Sequence, residues 1–370
     1  MINQETLDKP VKRIWILGDM HLGVRSSSLE WLDMMKDFYD NQFIPTLLEN
    51  YQDGDILVQV GDAFDNRQSI NIRVLHYAID LFERLGKILP VHVIAGNHDI
   101  WAKKSNEVTS IDTLKWIPNV AIYKESKTFN WGGKEVLLMP WRRDTDHEKE
   151  TLAEFPNSNI VFCHSEVRGI KLNKKVDNFH GVEASTYDRF DAVYSGHIHY
   201  RQQRGRLRMV GTPYELTRSD MDNTKGFDLV NLEDMSETFF ENTISPKFVK
   251  FYLTQLYNVP LGEFKDAIKN NYVDLYIPSN IATTSALSRL INKVQSISRK
   301  IDPNIYEQDT FLDKDMYDMD EIEDLYKNYN ILHLCNMYVD NLGHSSDVKD
   351  QIKARLRKLH DFCAYNYEID

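Results

Sequence analysis

The chain has 370 residues, enough for a large domain with one or two appendages. Hydrophobic content of 42% and charged content of 27% are those of an ordinary soluble globular protein, and no apolar run approaches the roughly 20 residues of a membrane span. A net charge of −12 argues against nucleic-acid binding by bulk electrostatics alone.

The N-terminal "MINQETLDKPVKR" lacks the apolar segment of a secretory signal. Cys163, Cys335 and Cys363 are odd in number and widely spaced, so a reducing compartment is expected rather than a disulfide framework. Both features point to the cytoplasm.

In chain order, "RIWILGD" reads as a buried strand, followed by helix from Leu29 to Tyr51 with an interruption expected before Pro45. "DILVQVGD" is a second strand, "NIRVLHYAIDLFERLG" an amphipathic helix, and "ILPVHVIAGNHD" a third strand. This alternation predicts an α/β fold with a largely parallel sheet. "KTFNWGGKEVLLMPW" then predicts a hairpin through Gly132-Gly133. "NIVFCHSEV", "AVYSGHIHY", "RLRMVGTP" and "GFDLVNLE" follow as further strands.

Residues 1–245 are read as the main domain, and 246–303 as a small α/β cap from "FVKFYLT", "GEFKDAIK", "YVDLYI" and "TSALSRLINKV". The acidic stretch 304–320 reads as a linker, and 321–370 as two C-terminal helices. The second carries Val348, Ile352, Leu356, Leu359 and Phe362 at helical spacing.

The strand ends carry the chemistry. "GDMHLG" supplies Asp19 and His21, "GDAFDNR" supplies Asp62 and Asp65, and "GNHD" supplies Asn97, His98 and Asp99. "FCHSE" adds His164, and "SGHIH" adds His197 and His199. In a parallel sheet these ends line one crevice. An extended backbone would point Asp19 with His21, and His197 with His199, to the same side. Oxygen and nitrogen donors without thiolates suit divalent Mn, Fe or Zn, and the set is large enough for two ions if Asp62 bridges. A lone histidine is usually a packing or surface residue. So many polar residues at successive strand ends make that explanation a poor one.

The series "GDMHLG…GDAFDNR…GNHD…CHSE…GHIH" resembles the calcineurin-like metallophosphoesterases over residues 13 to 232. "GDMHLG" and "GTPYELTRSD" resemble the SbcD-type double-strand-break repair nucleases, and the compact acidic chain with helices at its end is similar to the recombination endonuclease subunits of T-even-type phages. The resemblance implies a sandwich of two central β-sheets flanked by helices. It assigns Asp19, His21 and His199 to one metal and Asn97, His164 and His197 to the other, with Asp62 shared. It makes His98 catalytic and gives Asp99 the task of orienting it. It also implies two divalent ions, Mn2+ first and Mg2+ as the alternative.

The implied activity is 3′→5′ exonuclease and single-strand endonuclease action on DNA in recombination, repair and replication. The implied partners are an SbcC-type SMC-like ATPase and a second copy, in a heterotetramer, in the host bacterial cytoplasm if the chain is phage-encoded. The resemblance implies a second histidine in many cellular members where this chain has Asp65, and an Asp there in SbcD-type and phage members. This leaves the step assigned to that histidine open, but not the two-metal step.

Basic residues cluster just beyond the strand ends: Lys103 and Lys104; Lys171, Lys174 and Lys175; and Arg201, Arg204, Arg206 and Arg208. Lys103, Lys104, Arg201, Arg204 and Arg206 are therefore candidates for phosphate-backbone contact. His180 is a further histidine to locate, whereas Cys163 reads as a small buried strand residue. A phosphomonoesterase or small-molecule phosphodiesterase, and a non-catalytic scaffold, are the alternatives to a DNA nuclease.

Overall fold

The computed structural model describes residues 10–102, 105–279, 285–306, 339 and 346–367. The chain divides into two compact units, Met1–Ile277 with Thr283–Asn304, and Pro278–Ala282 with Ile305–Asp370. In the first unit the principal strands are β1 (Arg13–Leu17), β2 (Asp55–Gln59), β3 (Val91–Ile94) and β4 (Val120–Tyr123). They continue as β5 (Lys127–Trp131), β6 (Lys134–Met139), β7 (Ile160–His164) and β8 (Ala192–Gly196). The last of this group are β9 (Gln202–Arg204), β10 (Leu207–Met209), β11 (Gly226–Asn231) and β12 (Glu237–Glu241).

Two six-stranded sheets result among the described residues, ordered β12-β11-β1-β2-β3-β4 and β9-β10-β8-β7-β6-β5. Strands β1 to β4 are parallel, with β11 and β12 antiparallel at one edge. In the second sheet β10, β8, β7 and β6 are parallel, and β9 and β5 form antiparallel edges.

Alternation along the strands builds the layers. Trp15 and Leu17 of β1 face a core shared with the first helices, while Ile14 and Ile16 face the opposite way into a core between the sheets. There they meet Val136, Leu138, Ile160, Phe162 and Tyr194 of the second sheet. The outer face of that sheet buries Leu137, Val161 and Val193 with Leu152 and Phe190. The architecture is the expected sandwich of two central sheets flanked by helices.

Helix α1 (Leu29–Phe38) passes through a π-helical turn, Tyr39–Phe43, into α2 (Ile44–Asn50). Pro45 supplies no N–H to the preceding turn, which accounts for the expected interruption. Helix α3 (Ile72–Ile88) starts where Asn71 accepts from the Arg73 amide at 2.9 Å, and buries Val74, Tyr77, Ala78, Leu81, Phe82 and Leu85 along one stripe. Helix α4 (Thr145–Glu154) covers the other sheet.

The segment read as a cap forms α5 (Leu261–Ile268), α6 (Ser285–Gln295) and a three-stranded sheet of β13 (Phe248–Tyr252), β14 (Tyr272–Pro278) and β15 (Lys300–Tyr306). Trp31 of α1 stacks on Tyr272 at 5.5 Å between centroids and 3° between planes. Arg218 binds both Asp274 oxygens, at 2.5 and 2.8 Å, and reaches Asp302 at 2.6 Å. Helix α7 (Ser346–Tyr367) forms within the stretch where the second C-terminal helix is expected. Of the stretch 304–320 read as a linker, residues 304–306 belong to β15, because pairing with β14 carries the strand on to Tyr306. Residues 307–320 and, apart from Val339, the first of the two expected C-terminal helices lie outside the described residues. Among the described residues no helix is long and apolar enough to cross a membrane.

Candidate metal centre

Loops leaving β1, β2, β3, β7 and β8 bring the strand-end residues together. Asp19, His21, Asp62 and His164 are buried, and Asn97, His98, His197 and His199 are half-buried. The convergence is not produced by extended backbone. His21, Asp62 and His197 have φ of 46°, 53° and 80°, so tight left-handed turns aim them inward. Such conformations cost on the order of 1–3 kcal/mol each for non-glycine residues and concentrate at functional sites. Glycines make room for the approach. A Cβ at Gly61 would lie 2.3 Å from His164 Nδ1, and one at Gly96 would lie 2.1 Å from Asp62 Oδ1.

Two subclusters share Asp62. In one, His21 Nε2 faces His199 Nε2 at 3.0 Å, and His199 Nε2 is 3.8 Å from Asp19 Oδ2. In the other, Asn97 Oδ1 lies 2.9 Å from His164 Nε2 and 2.8 Å from His197 Nδ1. Asp62 Oδ2 lies 3.3 Å from His164 Nε2 and 3.7 Å from His21 Nε2, facing one histidine of each group.

The donor chemistry fits divalent cations. Asp19 Oδ1 is buried without a hydrogen-bond partner, a costly arrangement for a carboxylate oxygen unless a cation satisfies it. Asp19 with His21 and His199, and Asp19 with Asp62 and His164, each converge closely enough to share an ion. His21, Asp62 and His98 form a third such grouping.

Charge and burial set the protonation. Burial pushes Asp19 up to about 7 against the pull of His164. Burial acts the same way on Asp62, but His164, His98 and His21 outweigh it and hold that carboxyl well below its usual range. His164 is pulled down by burial, yet Asp62 and Asp19 leave it raised to about 9. Burial, reinforced by His164, lowers His197 to about 3, and burial with His21 drives His199 well below its ordinary value. His197 and His199 are thus held in the neutral form that ligates metal. His164 holds its proton against the carboxylates of Asp62 and Asp19, a proton that a cation would displace.

His98 is held at two points: its amide donates to Asp62 Oδ1 at 2.8 Å, and its Nδ1 to the Asp65 carbonyl at 2.6 Å. Asp99 does not orient it, contrary to expectation. The Asp99 carboxylate accepts from the amides of Gly96, Ala63 and Phe64 at 2.9, 3.2 and 3.1 Å, and from Ser110 Oγ at 2.9 Å. It ties the β2 loop to the β3 loop.

Among the candidate DNA contacts, Arg201 is committed elsewhere. Its guanidinium grips buried Asp228 at 2.6 and 2.7 Å and stacks 4.0 Å over Phe239. Arg204 and Arg206 are exposed and donate to the carbonyls of Gly169 and Asp191. Lys103 and Lys104 lie outside the described residues. Lys171 and Lys174 pair with Asp177 and Asp222. His180 is exposed and belongs to none of the converging groups. Cys163 is buried, and burial pushes its thiol up to about 12, which suits a packing residue.

Sequence reasoning passed over Trp141, whose ring packs 4.9 Å from His197 and 6.0 Å from His164. Its place at the end of "LLMPW" repeats the strand-end signal. Lys225, which donates to the His199 carbonyl at 2.7 Å and to Asp220 at 2.6 Å, had no local signal.

The family model for calcineurin-like phosphoesterases matches residues 12–201, more than half of the chain. The chain belongs to the calcineurin-like phosphoesterase family. This phosphoesterase is 30% identical over 234 residues to "Exonuclease subunit 1" of Enterobacteria phage T4, covering 62% of the chain and 68% of that protein. It is also 27% identical over 208 residues to "Putative phosphoesterase 244L" of Invertebrate iridescent virus 6, covering 52% of the chain and 66% of the relative.

Proposed function

We propose that this phosphoesterase is the nuclease subunit of an SbcCD-type complex, cleaving DNA phosphodiesters with two divalent cations, Mn2+ first and Mg2+ as the alternative. The observation that carries the reading is Asp62 Oδ2, set between His21 of one donor group and His164 of the other. Asp19, His21 and His199 would hold one cation, Asn97, His164 and His197 the other, and Asp62 both. Bound there, such a pair supplies Lewis acidity toward a phosphodiester and an activated water.

The chain's own contribution is positioning and proton handling. The bond from His98 Nδ1 to the Asp65 carbonyl fixes the ring, leaving Nε2 to exchange a proton with a departing oxygen. Trp141 packs against the rings of His164 and His197, two of the histidines that would hold a cation, and helps fix their orientation.

The T4 relative's name, an exonuclease subunit, supports DNA as substrate and assembly with other chains. An SbcC-type ATPase, a second copy, 3′→5′ polarity and a cytoplasmic setting complete the reading. Residues 246–303 would act as cap, and the C-terminal helices, of which α7 is described, as the ATPase-docking element. Incubation of the full chain and Mn2+ with linear duplex DNA, beside a nitrophenyl phosphate monoester, tests this. Metal-dependent degradation of DNA is expected. Turnover of the monoester alone would make the protein a phosphomonoesterase, and turnover of neither would make it a scaffold.

A further inference from the structure

Asp65 lies three residues after Asp62, beside His21 and His98, and its surroundings give it a task of its own. Its side chain and its main chain address two different histidines. Asp65 Oδ1 lies 3.2 Å from His21 Nδ1, while the Asp65 carbonyl accepts from His98 Nδ1 at 2.6 Å. The two imidazoles meet edge to face, with centroids 4.9 Å apart. A carboxylate can only accept, so His21 Nδ1 carries the proton of that bond. In the neutral ring that binds metal, Nε2 is then the lone-pair atom, and it is the ring nitrogen that faces His199 and Asp62.

The residue is anchored well enough to impose these orientations. The segment 62–65 is laced to 20–22 by four main-chain bonds: the amides of Met20 and His21 to the Asp62 carbonyl, Leu22 to Ala63, and Asp65 to Leu22. Each is 3.0 or 3.1 Å long. Asp65 therefore sits on the same rigid ribbon that carries His21, so its carboxylate and the His21 ring keep a fixed relation. A ligand histidine needs such a partner. An acceptor on the far ring nitrogen fixes the tautomer and raises the basicity of the ligating nitrogen.

We propose that Asp65 is a positioning residue with two separable functions, resting on the two-cation reading above. Its carboxylate sets His21 for the cation held with Asp19 and His199, and its carbonyl sets the His98 ring. Side-chain substitution removes the first function and leaves the second, because the main-chain carbonyl stays. Asp65 is a rim residue with a side chain 27% exposed, so truncation there leaves the buried core untouched.

The test is Mn2+ titration of the metal-free full chain by calorimetry, with electron paramagnetic resonance of bound Mn2+ as a second readout. Asp65→Ala should weaken one of the two sites about 10–100-fold, the usual effect of removing such a partner, and weaken the other much less. Asp65→Asn, whose amide oxygen can accept the same bond, should retain most of the affinity. Saturating Mn2+ should restore much of the turnover of Asp65→Ala, since His98 keeps its acceptor. Wild-type affinity in Asp65→Ala, or equal loss at both sites, would overturn the proposal while leaving the two-cation reading standing. A wild-type chain that takes up no Mn2+ would end that reading and this proposal together.

Discussion

At Asp62 one side chain meets the demands of three histidines. Oδ1 takes the His98 amide, and Oδ2 faces His21 and His164, from a backbone held at φ 53°. The left-handed turn is what lets one carboxylate lie between two donor groups, and the polar contacts around it hold the strained conformation. His98 is part of this arrangement without belonging to the proposed ligand set. His98→Ala should therefore keep near-normal metal occupancy, read by elemental analysis, while turnover on unactivated DNA falls roughly 10²–10⁴-fold. Near-normal turnover would remove its catalytic role.

Glu148 gives a residue-scale test that is independent of metal. Burial pushes its carboxyl up to about 7 from an ordinary 4.5, against the opposing hydrogen bonds from Ser165 and Tyr187. The folded chain thus holds this proton more tightly than the unfolded one. The resulting stabilisation is full below about 4.5 and is lost as pH rises through about 7. Glu148→Gln mimics the protonated form. The variant should gain on the wild type as pH rises from 5 to 8, by on the order of 1–3 kcal/mol in urea unfolding of metal-free protein. A stability difference that does not change with pH would contradict the assignment.

At the scale of elements, the buried parallel strands were legible because both their faces are covered, so they read as apolar runs with abrupt polar ends. The hairpin at Gly132-Gly133 was legible for a local reason: both residues take positive φ, 59° and 76°. Strand β15 was not, because "KIDPNIY" carries a proline and alternating polar residues, and only pairing with β14 makes it a strand. Trp31 stacking on Tyr272 was equally invisible, since the partners are distant in sequence and neither carries a local cue. That stack should matter to the fold. Trp31 is 7% exposed, so Trp31→Ala should cost about 3–5 kcal/mol in urea unfolding. A loss below about 1 kcal/mol would show that the cap-like sheet is held chiefly by Arg218 with Asp274 and Asp302.

Across the whole molecule, the residues of the candidate metal centre were readable because they stand at the ends of five strands, and parallel topology delivers such ends to one crevice. What the chain could not reveal was commitment between distant side chains. Asp99 is occupied by the amides of a neighbouring loop, and Arg201 by Asp228 on the adjoining sheet. An arginine next to a ligand histidine looks the same in sequence whether it faces DNA or a buried carboxylate. The net charge of −12 adds a constraint at this scale: on the proposed reading DNA contact would have to be local, with Arg204 and Arg206 the exposed ones of the five proposed contacts among the described residues. The central claim, two cations shared through Asp62, is tested most directly by anomalous diffraction from crystals of the full chain soaked in Mn2+. The account predicts two peaks about 3.5–4 Å apart, one beside His21 and His199, the other beside His164 and His197, with Asp62 between them. A single peak, or none, would contradict it.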